Sequence, residues 1–193
     1  MGTITAGVHG DALPSGCQVI EVHVGELNQL FNAMDPAPFR ERDLDPKAEA
    51  FIAGWAREKP ADAPLGLLIH VDREVASPDH ITVVQSAVRD FFKERAAVTR
   101  RQLRQLFRLG RTSLVIGLVF LAVSILLGNI AEDLLRDTRF AGVARESLLI
   151  GGWVAMWRPL EVFLYDWWPI RAEARLFDRL SAMTVRVVPS RST

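Results

Sequence analysis

The sequence TSLVIGLVFLAVSILLGNIA, residues 112–131, sets the architecture expected of this chain. It contains 20 residues without a charged side chain and lies between Arg111 and Glu132. A helix that rises about 1.5 Å per residue needs about 20 apolar residues to cross the roughly 30 Å hydrocarbon core of a bilayer. The segment lacks the polar stripe expected of a helix at the surface of a soluble domain, so we predict a transmembrane helix.

The charges around this segment are segregated, although the 193 residues include 23 Lys and Arg against 23 Asp and Glu. Residues 1–94 contain 8 basic and 15 acidic side chains, whereas residues 95–111 contain six arginines and no acid. This pattern is typical of a membrane protein with an acidic domain and a basic segment at the membrane surface. A balanced total charge argues against a nucleic-acid partner, and the 49% of hydrophobic residues argues against a disordered chain.

A second apolar segment covers residues 147–170, but it carries Arg158, Glu161 and Asp166. Its Leu, Ile, Val and Phe residues favour insertion by about 2 to 5 kcal/mol, while a charged side chain at the bilayer centre opposes it by about 2.5 to 3.5 kcal/mol. The segment therefore needs a partner, which is the preceding helix, a second copy or another subunit. The alternative is a re-entrant segment that turns at Pro159.

Small residues recur at helical spacing in both segments, which favours close packing of two antiparallel helices. In the first segment they are Ser113, Gly117, Ser124 and Gly128, and in the second they are Ser147, Gly151 and Ala155. We therefore predict a transmembrane hairpin, with lipid-facing residues such as Leu148 and Trp153 on the other side.

Arginines near the helix ends predict the orientation of the hairpin. Eight arginines flank its two ends, against three in the connecting residues 132–146. The positive-inside rule therefore predicts cytoplasmic termini, with Trp167 and Trp168 in the aromatic belt and a helix exit at Pro169. Residues 1–16 have neither the basic start nor the apolar run of a signal peptide.

Five of these arginines precede the first helix and form what we call the basic collar: Arg100, Arg101, Arg104, Arg108 and Arg111. Four of them follow helical spacing beside an apolar face, so the collar can lie against anionic lipid headgroups. The alternative is a topology anchor without any specific lipid.

The remaining sequence predicts a small cytoplasmic α/β domain. Residues 1–16 are predicted to form a flexible tail. The stretches CQVIEVHV and LGLLIHV, which alternate and are rich in β-branched residues, predict strands. Helices are expected over 26–34, after Asp45-Pro46 and after Ser77-Pro78, each proline marking a first helical position. Residues 171–193 predict an amphipathic helix and the strand TVRVV, which joins the first two strands in one sheet because both termini lie on the same side.

The predicted fold class is thus an α+β membrane protein in which a two-helix hairpin interrupts two βα units and a C-terminal strand. The predicted division is a tail (1–16), a cytoplasmic domain with a basic juxtamembrane helix (17–111), transmembrane helices (112–131 and 147–170), an extracytoplasmic loop (132–146) and a completing cytoplasmic segment (171–193).

The sequence contains no P-loop, dinucleotide-binding, nucleophile-elbow or HExxH motif, so it predicts no cofactor and favours a protein that is not an enzyme. His23 and His70 hold equivalent places in two strands, but a metal needs three or four ligands, so we predict ordinary strand histidines and no metal site. Asp43, Asp45 and His70 are the candidate active-site residues under the alternative hypothesis that the chain is an enzyme. Cys17 alone forms no internal disulfide.

The predicted intramembrane polar site consists of Arg158, Glu161 and Asp166. Ionisable residues at membrane depth mark functional sites by default, so these residues form either a polar pathway or a binding site for a charged group. The alternative is an Arg158–Glu161 pair, three residues apart on one helical face, that fixes helix packing or oligomer register. Asp166 is expected to reach water or Arg171.

The segments FNAMDPAPFRERDLDPKAEAFIAGWARE and ESLLIGGWVAMWRPLEVFLYDWWPIR resemble a family of small bacterial integral membrane proteins with no established activity. The resemblance implies a bacterial inner membrane and assigns no catalytic residue.

The residues together predict a scaffold or accessory subunit that associates with copies of itself or with another membrane protein. The alternative is an oligomeric transport or channel component that uses Arg158 and Glu161. Two helices cannot enclose a pore, so the alternative requires several copies.

Overall fold

The computed structural model describes residues 9–10, 13–14, 16–32, 42–72, 78–134 and 140–190. It is mostly helical, with a small sheet and two long apolar helices. The chain divides into two compact units. We call Met1–Val98 with Glu173–Thr193 the α/β unit, and Thr99–Ala172 the helical unit.

The sheet of the α/β unit contains strands from both ends of the chain. Its strands are β1 (His9–Gly10), β2 (Gln18–Val24), β3 (Leu65–Val71) and β4 (Thr184–Pro189), in the spatial order β1-β4-β3-β2. Strands β2, β3 and β4 are parallel to one another, as β-branched sequences between helices predict. The prediction that the C-terminal strand joins the first two in one sheet is confirmed.

Strand β1 departs from the predicted flexible tail over residues 1–16. His9 and Gly10 pair antiparallel with Val187 and Arg186 of β4. This pairing occupies backbone N–H and C=O groups that would otherwise be unpaired along the edge of β4. Residues 1–8, 11–12 and 15 of the predicted tail lie outside the described residues.

The helices of the α/β unit begin near the predicted capping residues. Helix α1 (Pro46–Glu58) starts after Asp45, whose Oδ1 accepts a hydrogen bond of 2.8 Å from the Lys47 N–H. The short helix predicted over 26–34 is a 3₁₀ helix at Leu27–Leu30. Residues 33–34, the turn at Asp35-Pro36 and the cap at Ser77 lie outside the described residues.

Three further helical segments follow the first βα unit. They are α2 (Pro78–Leu134), α3 (Phe140–Glu161) and α4 (Trp167–Ser181), with a π-helical segment at Val162–Asp166 between the last two. Helix α2 passes the predicted boundary at Arg111 without a break, since residues 98–111 are mostly strong helix formers.

Both prolines of the second apolar segment lie in helices. Helix α3 continues through Pro159, so the structure does not show the re-entrant turn weighed as an alternative. The predicted helix exit at Pro169 is wrong, because the helical run continues from α3 through the π segment into α4, which contains Pro169.

The core of the α/β unit lies where α1, the start of α2 and the end of α4 meet the sheet. Its most buried large side chains include Ile52, Val84, Val88, Phe92, Leu180, Leu67, Ile69 and Val185. Buried Gln85 donates a 2.7 Å hydrogen bond from Nε2 to the Val185 carbonyl, which satisfies the amide and fixes α2 beside β4. Segments from before and after the helical unit therefore form one core.

Candidate functional site

The helical unit exposes an unusually large apolar surface. Both of its helices are long and apolar enough to cross a membrane, and 17% of the most apolar window of each is buried. Its exposed apolar side chains include Ile116, Val119, Leu126, Ile150, Trp153, Val154 and Trp157. The core helix of a soluble protein would be mostly buried, whereas an exposed apolar surface of this size is typical of a site that contacts a membrane or another protein.

Glycines mark the antiparallel packing of α2 against α3 and the π segment. Gly110 lies beside Val162, Gly117 beside Ala155 and Met156, Gly152 beside Leu121 and Ser124, and Gly128 beside Arg145. A Cβ atom at Gly152 would come 2.7 Å from Leu121 Cδ1 and 3.3 Å from Leu121 Cα. The absence of side chains at these positions thus allows the two backbones to approach.

The structure uses only part of the small-residue pattern predicted for the second segment. Ala155 borders Gly117, but Gly151 is exposed and an added Cβ there would meet no atom within 4 Å. Ser147 is exposed as well. Gly152, not Gly151, faces the partner helix, which leaves Ser147 and Gly151 on an outer face of the hairpin.

The three charged residues of the predicted polar site lie together. Arg158 Nη1 lies 3.0 Å from Glu161 Oε2 and 3.4 Å from Asp166 Oδ2. The indole Nε1 of Trp157 donates a 2.9 Å hydrogen bond to the other carboxylate oxygen, Glu161 Oε1. We call Arg158, Glu161 and Asp166 the charged cluster, and its formal charge is −1.

Asp166 was expected to reach water or Arg171, but it pairs with Arg158. The π segment between them has wider turns than an α-helix, and its hydrogen bonds run from i to i+5. Arg171 instead lies over the Trp167 ring, with its guanidinium carbon 5.5 Å from the ring centroid. Sequence spacing could not reveal this change because it assumes a regular helix.

Antiparallel packing also fixes the level of the charged cluster along the hairpin. Gly110 lies beside Val162, which places Glu161 at the level of Arg111 and the end of the basic collar. Arg158 precedes Glu161 by three residues in α3, which runs towards the collar level, so Arg158 lies about 4.5 Å further from the collar end at 1.5 Å per residue. The five collar arginines are exposed on α2. The cluster is therefore close to the collar rather than at the middle of the hairpin.

A groove of about 310 Å³ runs between α2 and α3 beside the cluster. It is lined by Ser113, Ile116, Gly117, Phe120, Ala155, Arg158 and Pro159. Most of these residues are apolar, and Arg158 supplies a charged group at the collar end. A mainly apolar wall with a few polar groups is the usual composition of a small-molecule site.

Aromatic side chains line a second depression in the helical unit, at the level of the collar. The Phe107 ring lies 6.2 Å from Phe163 and 6.4 Å from Trp167, measured between centroids. Leu103 and Arg171 complete a cavity of about 350 Å³. Trp167, which the sequence predicts in an aromatic belt, thus packs against Phe107 of α2, a contact that sequence reasoning did not anticipate.

The histidines of the α/β unit form a stacked pair. His23 and His70 are register partners in β2 and β3, and their rings stack with centroids 4.3 Å apart and planes 7° apart. Glu21 Oε2 lies 3.7 Å from His70 Nε2. Within the described ranges no group of three or more His, Cys, Asp or Glu side chains is placed to hold a metal.

The residues considered for an enzyme have local structural roles. Asp45 caps α1, and the Asp43 carbonyl accepts a 2.8 Å hydrogen bond from the Asn32 N–H. Cys17 is half-buried and carries no disulfide.

Comparisons with protein-family models, with curated proteins and with solved structures find no significant match for this chain. The resemblance to small bacterial membrane proteins therefore stays a prediction, and function has to be argued from the residues of the helical unit.

Proposed function

We propose that this chain is a non-enzymatic integral membrane protein, a scaffold or accessory subunit that self-associates through its helical hairpin. The observation that carries the proposal is the combination of small residues inside the hairpin with large apolar side chains outside it. A water-soluble helix pair would have the opposite arrangement. In our proposal residues 112–131 and 147–170 cross a bacterial inner membrane, and both termini are cytoplasmic.

Sheet topology supports cytoplasmic termini on a common side. Strand β3 precedes the hairpin and β4 follows it, yet the two strands are hydrogen-bonded neighbours. A chain that crosses the membrane once would leave them on opposite sides. Two crossings bring the chain back to the same sheet, and the excess of arginines at that end favours the cytoplasm.

The level of Arg158 supports insertion of the second helix. Gly152 packs against Leu121 near the middle of residues 112–131, and Arg158 is six residues, or about 9 Å, from that level. In a core of about 30 Å the guanidinium can therefore extend towards the headgroups, where the penalty is smaller than at the centre. Its pairing with Glu161 and Asp166 draws it in that direction.

An outer face of α3 supports self-association. Ser147, Gly151 and Val154 recur at helical spacing and are exposed. Small residues allow a second helix to approach closely in a membrane, where packing rather than hydrophobic burial drives association.

The basic collar, at the membrane surface, attracts anionic headgroups at about 1 kcal/mol per arginine.

Cysteine cross-linking in native membranes tests self-association. In a Cys17→Ser background we expect Gly151→Cys to form a disulfide-linked dimer in alkaline-washed membranes, because an interface along this face brings the two copies of residue 151 within disulfide reach. Trp153→Cys is the control, since residue 153 is exposed at nearly the same depth but lies about 200° around the helix.

Equal cross-linking at residues 151 and 153, or a monomer at both, would contradict the proposed interface. Absence of the protein from the washed membrane pellet would contradict the membrane location itself.

A transport or channel component is the second candidate, and the exposure of the Arg158 side chain, 64%, favours it. Several copies arranged around Arg158 and Glu161 would line a polar path. We expect liposomes that contain the protein to lose most of their ion flux when Arg158→Leu is combined with Glu161→Leu, because the charged lining is removed. The pathway would be excluded if the unmodified chain gave no flux, or if flux were unchanged in the double variant. Arg145→Leu provides the matched control.

A further inference from the structure

The groove between α2 and α3 has a polarity gradient along its length. Ile116, Phe120 and Ala155 form apolar walls, and Gly117 contributes no side chain, which leaves space between the helices. Ser113 and Arg158 lie at the end near the basic collar. An amphiphile with one apolar chain and a polar head has the same gradient.

Arg158, at the polar end of the groove, is paired with two carboxylates that lie next to the groove lining and are not part of it. Both carboxylates of the charged cluster meet Arg158 through the same nitrogen, Nη1. A guanidinium has five N–H donors, so among the described residues Nε and Nη2 keep donors for a further acceptor such as phosphate. Glu161 and Asp166 together exceed the charge of Arg158 by one, which leaves negative charge for a cation.

We propose that this groove binds a zwitterionic aminophospholipid of the phosphatidylethanolamine type, with one acyl chain along Phe120 and Ala155. The phosphate accepts hydrogen bonds from Arg158, and the ammonium group lies against Glu161 and Asp166. This inference rests on the proposed membrane location. The volume of about 310 Å³ accommodates part of one chain, and the rest of the lipid remains in the bilayer.

Charge distinguishes this lipid from other occupants of the groove. A lipid with a purely anionic head would bring its phosphate to Arg158 but leave the excess carboxylate without a cation. An apolar helix from a second copy would fill the groove without supplying acceptors to the guanidinium. The zwitterionic head pairs with both signs, and the surrounding bilayer supplies it.

The test compares lipid retention by full-length variants. Protein extracted from alkaline-washed membranes is reconstituted into nanodiscs of equimolar phosphatidylethanolamine and phosphatidylglycerol and then released into mild detergent for native mass spectrometry. We expect one retained phosphatidylethanolamine per chain. Arg158→Leu should reduce its occupancy ratio about tenfold by removing the phosphate donors, and Ala155→Phe should do the same by filling the groove.

Arg145→Leu is the matched control because Arg145 also pairs with a glutamate of the helical unit, at 3.2 Å from Glu132, but does not line the groove. Its lipid occupancy should equal that of the unmodified chain. An equal loss in all three variants would identify unspecific annular lipid and overturn the proposal. Unchanged retention in Arg158→Leu or Ala155→Phe would also overturn it, as would preferential retention of phosphatidylglycerol.

The same experiment separates this proposal from the proposed function. Protein that stays in the washed pellet but retains no phosphatidylethanolamine overturns the lipid site alone. Protein that is absent from the pellet overturns both. A cross-link between copies through cysteines placed at Ile116 would show a protein occupant and overturn the lipid site while supporting self-association.

Discussion

Replacement of Gly152 by leucine is expected to lower the free energy of unfolding of the helical unit by about 1–3 kcal/mol, the usual cost of overpacking. The leucine Cβ alone would come 3.3 Å from Leu121 Cα and 3.4 Å from Ser124 Cβ. Backbone atoms cannot yield as a flexible side chain does, so α2 and α3 have to separate. Unfolding in mixed micelles with increasing dodecyl sulfate, followed by tryptophan fluorescence, measures the change.

Gly151→Leu is the control for this experiment because it adds the same side chain one residue away. An added Cβ at Gly151 meets no atom within 4 Å, and the gain in helix propensity is the same at both positions. We expect its unfolding midpoint to equal or exceed that of the unmodified chain while dimer formation decreases. Equal destabilisation by both substitutions would contradict the described packing of α3.

Replacement of Phe92 by alanine is expected to lower the free energy of unfolding of the α/β unit by about 3–5 kcal/mol. Phe92 is fully buried, and its ring lies 5.3 Å from that of Phe91 and 6.2 Å from that of Phe177. Its removal leaves a cavity between α2 and α4 in the core. Hydrogen exchange of β3 and β4 in the detergent-purified full chain should become faster by the corresponding factor.

Phe51→Ala is the comparison for the core substitution. Phe51 lies on α1 with 45% of its surface exposed and contacts Trp55. We expect a loss below about 1 kcal/mol, since nearly half of the Phe51 surface already contacts solvent and its removal opens no enclosed cavity. Unchanged exchange of β4 in Phe92→Ala would show that the segment after the helical unit does not share the core with α2.

The sequence predicted the elements of this protein better than the way they pack. Strands β2, β3 and β4 start or end within about a residue of their predicted bounds, because alternation and β-branching are local signals. Asp45 and Pro46 likewise predicted the start of α1. By contrast, β1 has no such signal in two residues and exists through its pairing with β4.

The candidate site was predicted by residue type but not by geometry. Three charged residues in an apolar segment are visible in the sequence, yet their meeting depends on the π segment and on the reach of Arg158. The groove beside Arg158 was not predicted at all, because its walls come from two helices that are about 40 residues apart in the chain.

The sequence by itself determined which segments are helical, which are strands and which are long and apolar enough to cross a bilayer. The length, hydrophobic periodicity and charge of a segment are local properties, so they can be read from the sequence without knowledge of tertiary contacts. Only the tertiary structure decided that Gly152 rather than Gly151 faces α2, and that the charged cluster lies close to the basic collar. Both depend on how one helix is rotated and shifted against another, which is fixed by contacts between distant residues.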